Sequence, residues 1–248
     1  MTADLAAYLL GIGDDALIAA QRLGELYASS PEMEEDVALA NIALDQLGAA
    51  RLLLEYAAEL TGDGDEDTLA FLRGPAEFRH HVLVELPNGD FAVTIAKLLF
   101  LAAWQRPLYA RLAVESADVR LTGIAATAGL ETAYHLDHAA QWTIRLGDGT
   151  GESHRRMQDA IDALWPYTRE FFAPDPVAQR LPGVAVTPTR AEWDALIAPT
   201  LAEATLRTPA AGPAEPETNG RAGRHTAHLD ALLDEMQSLY RAHPGARW

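Results

Sequence analysis

The chain of 248 residues contains no cysteine and no uninterrupted apolar run near 18 residues. The lack of cysteine excludes disulfides, thiolate metal sites and cysteine nucleophiles. The short apolar runs predict no transmembrane helix. The first residues, Met1-Thr2-Ala3-Asp4, lack the basic segment of a secretory signal. We therefore predict a cytoplasmic protein.

Basic residues are scarce relative to acidic ones, and the formal net charge is -17. Such a surface repels nucleic acids and anionic membranes, so we expect neither as a partner. Basic residues nevertheless cluster in two places, at Arg73, Arg79, His80 and His81 and at His154, Arg155 and Arg156.

Apolar residues recur at helical spacing along most of the chain, and no alternation typical of a strand is present. In the first such segment, Leu9, Ile12, Ala16, Ala19 and Leu23 repeat every three or four residues. The second carries an apolar stripe of Val37, Ala40, Leu44, Leu47 and Leu54. The pattern predicts an all-α, up-down helical bundle with additional C-terminal helices.

The breakers along the chain suggest one domain over residues 1–248. The core bundle should occupy about residues 1–172, and a proline-rich irregular stretch covers 173–189. A helical extension is expected over about 189–243, interrupted by a mobile loop near 208–223, which is rich in proline, glycine and alanine.

Two long helical segments contain an incomplete version of a metal-binding motif. A di-iron carboxylate bundle uses a Glu from each of two helices and a Glu-x-x-His from each of two others. Here Asp45-Gln46-Leu47-Gly48 and Glu131-Thr132-Ala133-Tyr134 place Gly48 and Tyr134 where histidines would stand. The third long segment, residues 91–114, has no acidic residue. We predict that such a ligand set binds no iron for oxygen chemistry.

The remaining polar residues of this degenerate site are Asp15, Asp45, Gln105 and Glu131. Asp15 lies 30 residues before Asp45, and Gln105 interrupts the apolar face of the third segment. Because buried charges persist mainly when they are paired, we expect these residues to form a polar network in place of a metal.

An alternative metal site lies on one helix. Glu131, His135 and His138 stand at positions i, i+4 and i+7, which places them on one face. This spacing is compatible with a single metal ion. We favour the alternative, a polar stripe that faces a partner or a neighbouring helix.

The best candidate for ligand binding is the run Glu77-Phe78-Arg79-His80-His81. Cationic side chains beside an aromatic ring suit a phosphorylated nucleotide. Ala178, Gln179 and Arg180 are placed to join it. The alternative is a solvated basic surface that balances nearby acids.

Several runs in order along the whole chain are distinctive, at residues 21–25, 36–45, 64–71, 86–91, 134–136, 145–149, 164–165, 225–229, 235–237 and 244–248. These runs resemble the PaaC-type structural subunits of bacterial phenylacetyl-CoA epoxidase, a ferritin-like family.

The resemblance implies a ferritin-like fold and a non-catalytic subunit that binds and stabilises the di-iron catalytic subunit (PaaA-type). Such a complex uses O2, and NADPH through a separate reductase, to convert phenylacetyl-CoA to its ring 1,2-epoxide in aerobic phenylacetate degradation. It implies further subunits as partners and no cofactor bound by this chain. It also places CoA near the subunit boundary, which makes Glu77, Phe78, Arg79, His80, Ala178, Gln179 and Arg180 candidate contacts.

Two other functions are compatible with the same residues. One is a free-standing ferritin-like metalloenzyme built on Glu131, His135 and His138. The other is a helical module that binds CoA thioesters independently of any oxygenase.

Overall fold

The computed structural model describes residues 2–62, 64–210 and 218–246. The described chain is helical, and its one bridge between extended residues joins Asn219 to Arg224. The prediction of an all-α fold is confirmed. The α-helices of this part are α1 (Thr2–Gly24), α2 (Met33–Thr61), α3 (Glu66–Phe71), α4 (Val82–Glu85), α5 (Phe91–Glu115), α6 (Val119–Gly147), α7 (Gly151–Leu164), α8 (Pro176–Gln179), α9 (Arg190–Glu203) and α10 (Ala227–Ala242).

The four long helices α1, α2, α5 and α6 form a bundle. α1 packs along α2, α5 packs along α6, and α2 meets α6. Local signals set the helix boundaries. Asp90 and Asp118 begin α5 and α6 by accepting hydrogen bonds from Val93 N (3.1 Å) and Leu121 N (2.8 Å). Gly62 ends α2 in the left-handed conformation, with φ of 69°.

The C-terminal helices cover one side of this bundle. α7 and α9 pack on α5 and α6, and α10 packs on α3 and α4. The Trp193 side chain of α9 is fully buried, and its indole nitrogen donates to Phe100 O at 3.0 Å. α7 ends at Leu164, and a 3-10 segment, Trp165–Phe172, follows. As a result α5 is buried around most of its circumference.

The outer side of α2 carries the stripe that the sequence marked as apolar. Val37, Leu44 and Leu47 are exposed, whereas Leu39 and Ile42 are buried. α2 has apolar residues on two faces, and the sequence pattern alone does not distinguish the face that packs on the bundle. The stripe therefore faces outward except at its end, where Leu54 is buried.

Two helices, α2 and α5, are long and apolar enough to cross a membrane by length and composition. For α5, 78% of the apolar window is buried inside the protein, compared with 39% for α2. Core helices of soluble proteins pass the same test, so these helices do not indicate a membrane.

A short C-terminal segment, residues 218–226, crosses back over the bundle, and we call it the strap. The predicted mobile loop near 208–223 overlaps it, and residues 211–217 of that loop lie outside the described residues. Two carboxylates hold the strap: Gly220 N donates to Glu170 Oε1 at 2.6 Å, and the Arg221 guanidinium contacts the buried Asp15 Oδ2 at 2.7 Å.

We expect Gly220→Ala to displace the strap. A Cβ at this position would lie 1.8 Å from the carbonyl oxygen of His80, which belongs to the rigid backbone. The expected cost is about 1–3 kcal/mol of unfolding free energy, as for other overpacked sites. Urea unfolding measures this loss of unfolding free energy. Gly48→Ala is the control, since nothing lies within 4 Å of the added Cβ on this exposed helix position. Equal behaviour of the two variants would contradict the close packing.

The chain has one lysine, Lys97, and the structure buries it in α5. Its ammonium donates to Leu86 O at 2.6 Å and to Asn88 Oδ1 at 2.9 Å, which fixes the turn before α5. Burial, and secondarily the nearby Arg22, lowers the pKa of Lys97 to about 7.

Candidate functional site

The centre of the bundle holds a polar network between α2, α5 and α6. The amides of Gln46 and Gln105 bond reciprocally, at 2.8 and 3.0 Å. Gln46 Nε2 also lies 3.4 Å from His135 Nδ1, and His135 Nε2 lies 3.0 Å from Asp45 Oδ2. The four side chains thus satisfy one another across three helices.

The hydrogen bonds define the state of His135. Because Gln46 donates to Nδ1, that nitrogen carries a lone pair, and the proton sits on Nε2 and is donated to Asp45. Burial lowers the pKa of His135 although Asp45 acts in the opposite direction. A neutral imidazole in this position keeps the centre of the network uncharged, and Asp45 holds the negative charge at its rim.

In the structure, the residues that face the bundle interior each follow a position of the degenerate metal motif by one residue. The positions that face the bundle interior are Gln46 on α2 and Thr132 and His135 on α6, which are all buried. Gly48 and Tyr134, which replace the histidines of the motif, are exposed. Asp45 and Glu131 therefore lie at the rim rather than at the centre, and the donors that face inward include two amides, which suit a di-iron centre poorly.

Asp15 lies in a different polar cluster. It is fully buried, accepts from His81 N at 2.7 Å, and contacts His81 Nδ1 and Arg221. Burial alone would raise its pKa, but Arg221 and His81 hold the pKa of Asp15 down to about 2. The neighbouring Asp14 pairs with Arg73 at 2.9 Å. α1 therefore uses these acids to anchor loops.

The alternative set Glu131, His135 and His138 does not converge on one point. His135 is engaged with Asp45, and His138 Nε2 faces Glu35 Oε2 at 3.3 Å. Burial and the charge of Asp45 raise the pKa of Glu131. Within residues 2–62, 64–210 and 218–246, the three-donor group that comes together is His80, Glu85 and His225.

A cavity of about 570 Å³ lies between α1, α3, the 3-10 segment Trp165–Phe172 and the strap. Its walls combine aromatic side chains with ionic pairs. They include Tyr8, Arg73, Glu77, Arg79, His81, Trp104, Glu170, Asp175, Val177 and Arg221.

The two predicted ligand stretches border this one cavity. Glu77 and Arg79 line it, whereas the side chains of Phe78 and His80 point into the core and are fully buried. On the opposite wall, Val177 of α8 lines it next to Ala178 and Gln179. Arg180 follows and donates to Asp4 Oδ1 at 2.6 Å.

Two polar side chains that line the cavity lack the partner that such groups usually have. The Arg79 guanidinium contacts the carbonyl oxygens of Ala76 (2.6 Å) and Phe78 (2.7 Å) and, in the described part of the chain, no carboxylate. The indole nitrogen of Trp104 is buried and has no hydrogen-bond partner among the described residues. A guanidinium without a carboxylate partner among the described residues suits a ligand that brings negative charge and acceptor oxygens.

Sequence reasoning missed Trp104, Gln46, Glu85 and Arg221. Gln46 is recognisable only once the core-facing register of α2 is known. Arg221 follows a segment of low complexity, and its partner Asp15 lies 206 residues earlier. Arg73 was visible as part of a basic cluster, although its pairing with Asp14 was not.

Comparison with known proteins assigns the whole chain to one family. Residues 1–248 match the family described as phenylacetic acid catabolic protein. The chain is also 48% identical, over 248 residues, to a protein of Escherichia coli (strain K12) that is named as the C subunit of 1,2-phenylacetyl-CoA epoxidase. The match covers 98% of this chain and 99% of the relative.

Proposed function

The chain belongs to the phenylacetic acid catabolic protein family, and we propose that it serves as a non-catalytic subunit of a multicomponent phenylacetyl-CoA epoxidase. Its role would be to bind and stabilise the di-iron catalytic subunit. The relative is itself named as one subunit of such an enzyme, which supports the existence of further subunits as partners.

The observation that carries the proposal is an uncovered apolar surface, which we call the α2–α6 face. It consists of Met33, Val37 and Leu44 on α2 and of Leu130 and Tyr134 on α6. The exposed fractions are 78% for Met33, 64% for Leu44, 78% for Leu130 and 54% for Tyr134. Exposed large apolar side chains that are grouped on two packed helices are typical of protein interfaces.

The position of the α2–α6 face in the bundle supports the proposal that a large partner packs on it. The C-terminal helices pack on α5 and on part of α6, and they leave the outer side of α2 free. Beside it, an apolar groove of about 330 Å³ runs between α1 and α2 and is lined by Leu23, Leu26, Tyr27 and Leu44. A ridge next to a groove on adjacent long helices suits packing against helices of another protein.

Acidic groups along the α2–α6 seam indicate the charge that the partner should present. Glu35, Asp45 and Glu131 lie there, and the imidazoles that face them, His135 and His138, have pKa values lowered chiefly by burial. No arginine or lysine of the described chain pairs with these three acids. We expect basic side chains of the catalytic subunit at this seam.

Coexpression with the catalytic subunit tests the proposal. The wild-type chain should copurify with that subunit and increase its soluble yield, and Leu44→Glu should reduce copurification at least tenfold because it buries a charge in the interface. Leu239→Glu is the matched control, since Leu239 is 56% exposed on α10, away from the face. An unchanged catalytic subunit in the absence of this chain would contradict the proposal.

The proposal also includes contact with the CoA part of the substrate at the 570 Å³ cavity. Its support is the Arg79 guanidinium, which pairs with no carboxylate of the described residues, together with the lining residues of the two stretches. In the assembled enzyme, Arg79→Ala should raise KM for phenylacetyl-CoA about tenfold with kcat little changed, as for loss of one charged hydrogen bond. Arg155→Ala, on the exposed side of α7, is the control. An unchanged KM would remove this contact from the proposal.

A further inference from the structure

Three side chains from distant parts of the chain converge beneath the strap. His80 precedes α4, Glu85 ends α4, and His225 belongs to the strap. His80 Nε2 lies 2.6 Å and His225 Nδ1 lies 2.7 Å from the same oxygen, Oε2 of Glu85. The three donor atoms lie within 4.8 Å of one another, and all three side chains are at least 96% buried.

Backbone groups hold the outer atoms of two of these side chains. His225 Nε2 lies 3.0 Å from the carbonyl oxygen of Phe78, and Glu85 Oε1 accepts from Thr226 N at 2.6 Å. Carbonyl oxygens on the far nitrogen of a histidine are the usual support of a metal ligand, because they fix the ring and direct its other nitrogen inward. The His225 ring and the Glu85 carboxylate are thus oriented toward the common centre.

The third side chain, His80, has one unsatisfied atom. Its Nδ1 is buried and has no hydrogen-bond partner in the described structure. The His80 ring lies against that of His225, with ring centroids 4.3 Å apart. Hydrogen bonding within the cluster therefore leaves one nitrogen of a fully buried imidazole unused, and this nitrogen can take the ring proton when Nε2 binds a metal.

We propose that His80, Glu85 and His225 bind a zinc ion that fastens the strap to the core of the protein. Two imidazole nitrogens and one carboxylate oxygen are a known donor set for zinc. Mg²⁺ and Ca²⁺ prefer all-oxygen sites, which excludes them here. The site is separate from the Gln46–Gln105–His135–Asp45 network, and it leaves the proposed non-catalytic role of the bundle centre unchanged.

Zinc binding would move one proton within the cluster and release another to solvent. Each imidazole must present a lone pair to the metal, so the ion replaces the hydrogens that now lie between the two rings and Glu85 Oε2. His80 can carry its proton on the unused Nδ1 instead of Nε2. The hydrogen on His225 Nδ1 leaves to solvent, and Nε2 keeps its own hydrogen toward Phe78 O. Binding should therefore be weaker at lower pH.

The test uses the full chain, freed of metal with a chelator and titrated with zinc chloride. We expect one zinc ion per chain, and a rise in Tm of about 5–10 °C at a free zinc concentration one hundred times the Kd. Cobalt(II) added in place of zinc should give the visible absorption of a tetrahedral site with nitrogen and oxygen ligands. This measurement on the wild-type chain requires no variant to fold.

Two variants locate the ion. His225→Gln should abolish zinc binding and the rise in Tm, whereas His138→Gln, a histidine of the α2–α6 seam, should retain both. The absence of zinc binding by the wild-type chain, or equal binding by His225→Gln, would overturn the site. Copurification with the catalytic subunit is measured separately, so a failure of the zinc site is distinguishable from a failure of the proposed function.

Discussion

Asp15→Asn should lower the free energy of unfolding by about 3–5 kcal/mol, the cost of breaking a buried ion pair by removing one partner. Asp15 is fully buried and is the carboxylate that joins α1 to both His81 and Arg221. Asparagine has nearly the same shape, so the variant removes the charge without opening a cavity. The guanidinium of Arg221 would then lose its anion, and the strap would lose one of its anchors.

The same carboxylate should make the free energy of unfolding depend on pH in the acid range. The folded pKa is about 2 against an ordinary value of 3.8. Because the folded pKa is depressed, the stabilisation is complete above pH 4 and is lost as the pH falls toward 2. The loss amounts to about 2–3 kcal/mol. Urea unfolding of wild type and Asp15→Asn at pH 5, 4 and 3 measures it, and the two curves should converge as the pH falls.

Glu152→Gln is the matched control for burial. The pKa of Glu152 is also lowered to about 2, through hydrogen bonds from Arg155 and Arg156, but the carboxylate is exposed on α7. Solvent screens such pairs, so this variant should unfold close to wild type. If Asp15→Asn were as stable as Glu152→Gln, the buried cluster would have no role in holding the strap.

The second large effect is a rise in stability at alkaline pH, and it comes from Lys97. Its pKa falls from 10.5 to about 7 on folding, chiefly through burial. Between these values the unfolded chain binds a proton that the folded chain does not bind. Stability should therefore rise with pH above 7, by roughly 1.4 kcal/mol per pH unit from this residue. Urea unfolding at pH 7, 8 and 9 measures the slope.

Tyrosine side chains set the pH above which this rise in stability should end. Burial raises the pKa values of Tyr8 and Tyr109, and burial with the hydrogen bond to Asp118 raises that of Tyr56 to about 12. Above pH 10 the unfolded chain loses phenolic protons that the folded chain keeps, so stability should fall again. Lys97→Met should abolish the rise between pH 7 and 9 while the fall above pH 10 remains. A variant that keeps the full slope would show that Lys97 is not its origin.

The sequence was sufficient to predict the fold because the relevant signals are local. Periodic apolar residues such as Leu9, Ile12 and Ala16 and breakers such as Gly62 act within a few turns of helix. The orientation of α2 was not predictable in this way. Its apolar residues surround the helix, so burial of Ile42 rather than Leu44 depends on which neighbours are present.

The candidate site was predictable only in part, for the same physical reason. Glu77 and Arg79 stood out because they belong to one short run of charged and aromatic residues, and both line the cavity. The sequence motif names residues that each lie one position before the residue that faces the core. Successive residues on a helix are rotated by about 100°, so a shift of one residue moves a side chain from the core to the rim. Contacts such as Arg221 with Asp15 join residues 206 positions apart, and no spacing rule reports them.

The burial of Lys97 also governs how this protein can be mapped in a complex. Lysine is the residue that amine-reactive cross-linkers attack, and the chain offers one side-chain amine, enclosed in α5 and engaged by Leu86 and Asn88. Cross-linking through amines would therefore yield almost no side-chain links from this protein, even in an intact assembly. Reagents that couple carboxylates suit its 36 acidic residues instead, and Glu131 and Asp45 would report on the proposed interface at the α2–α6 seam.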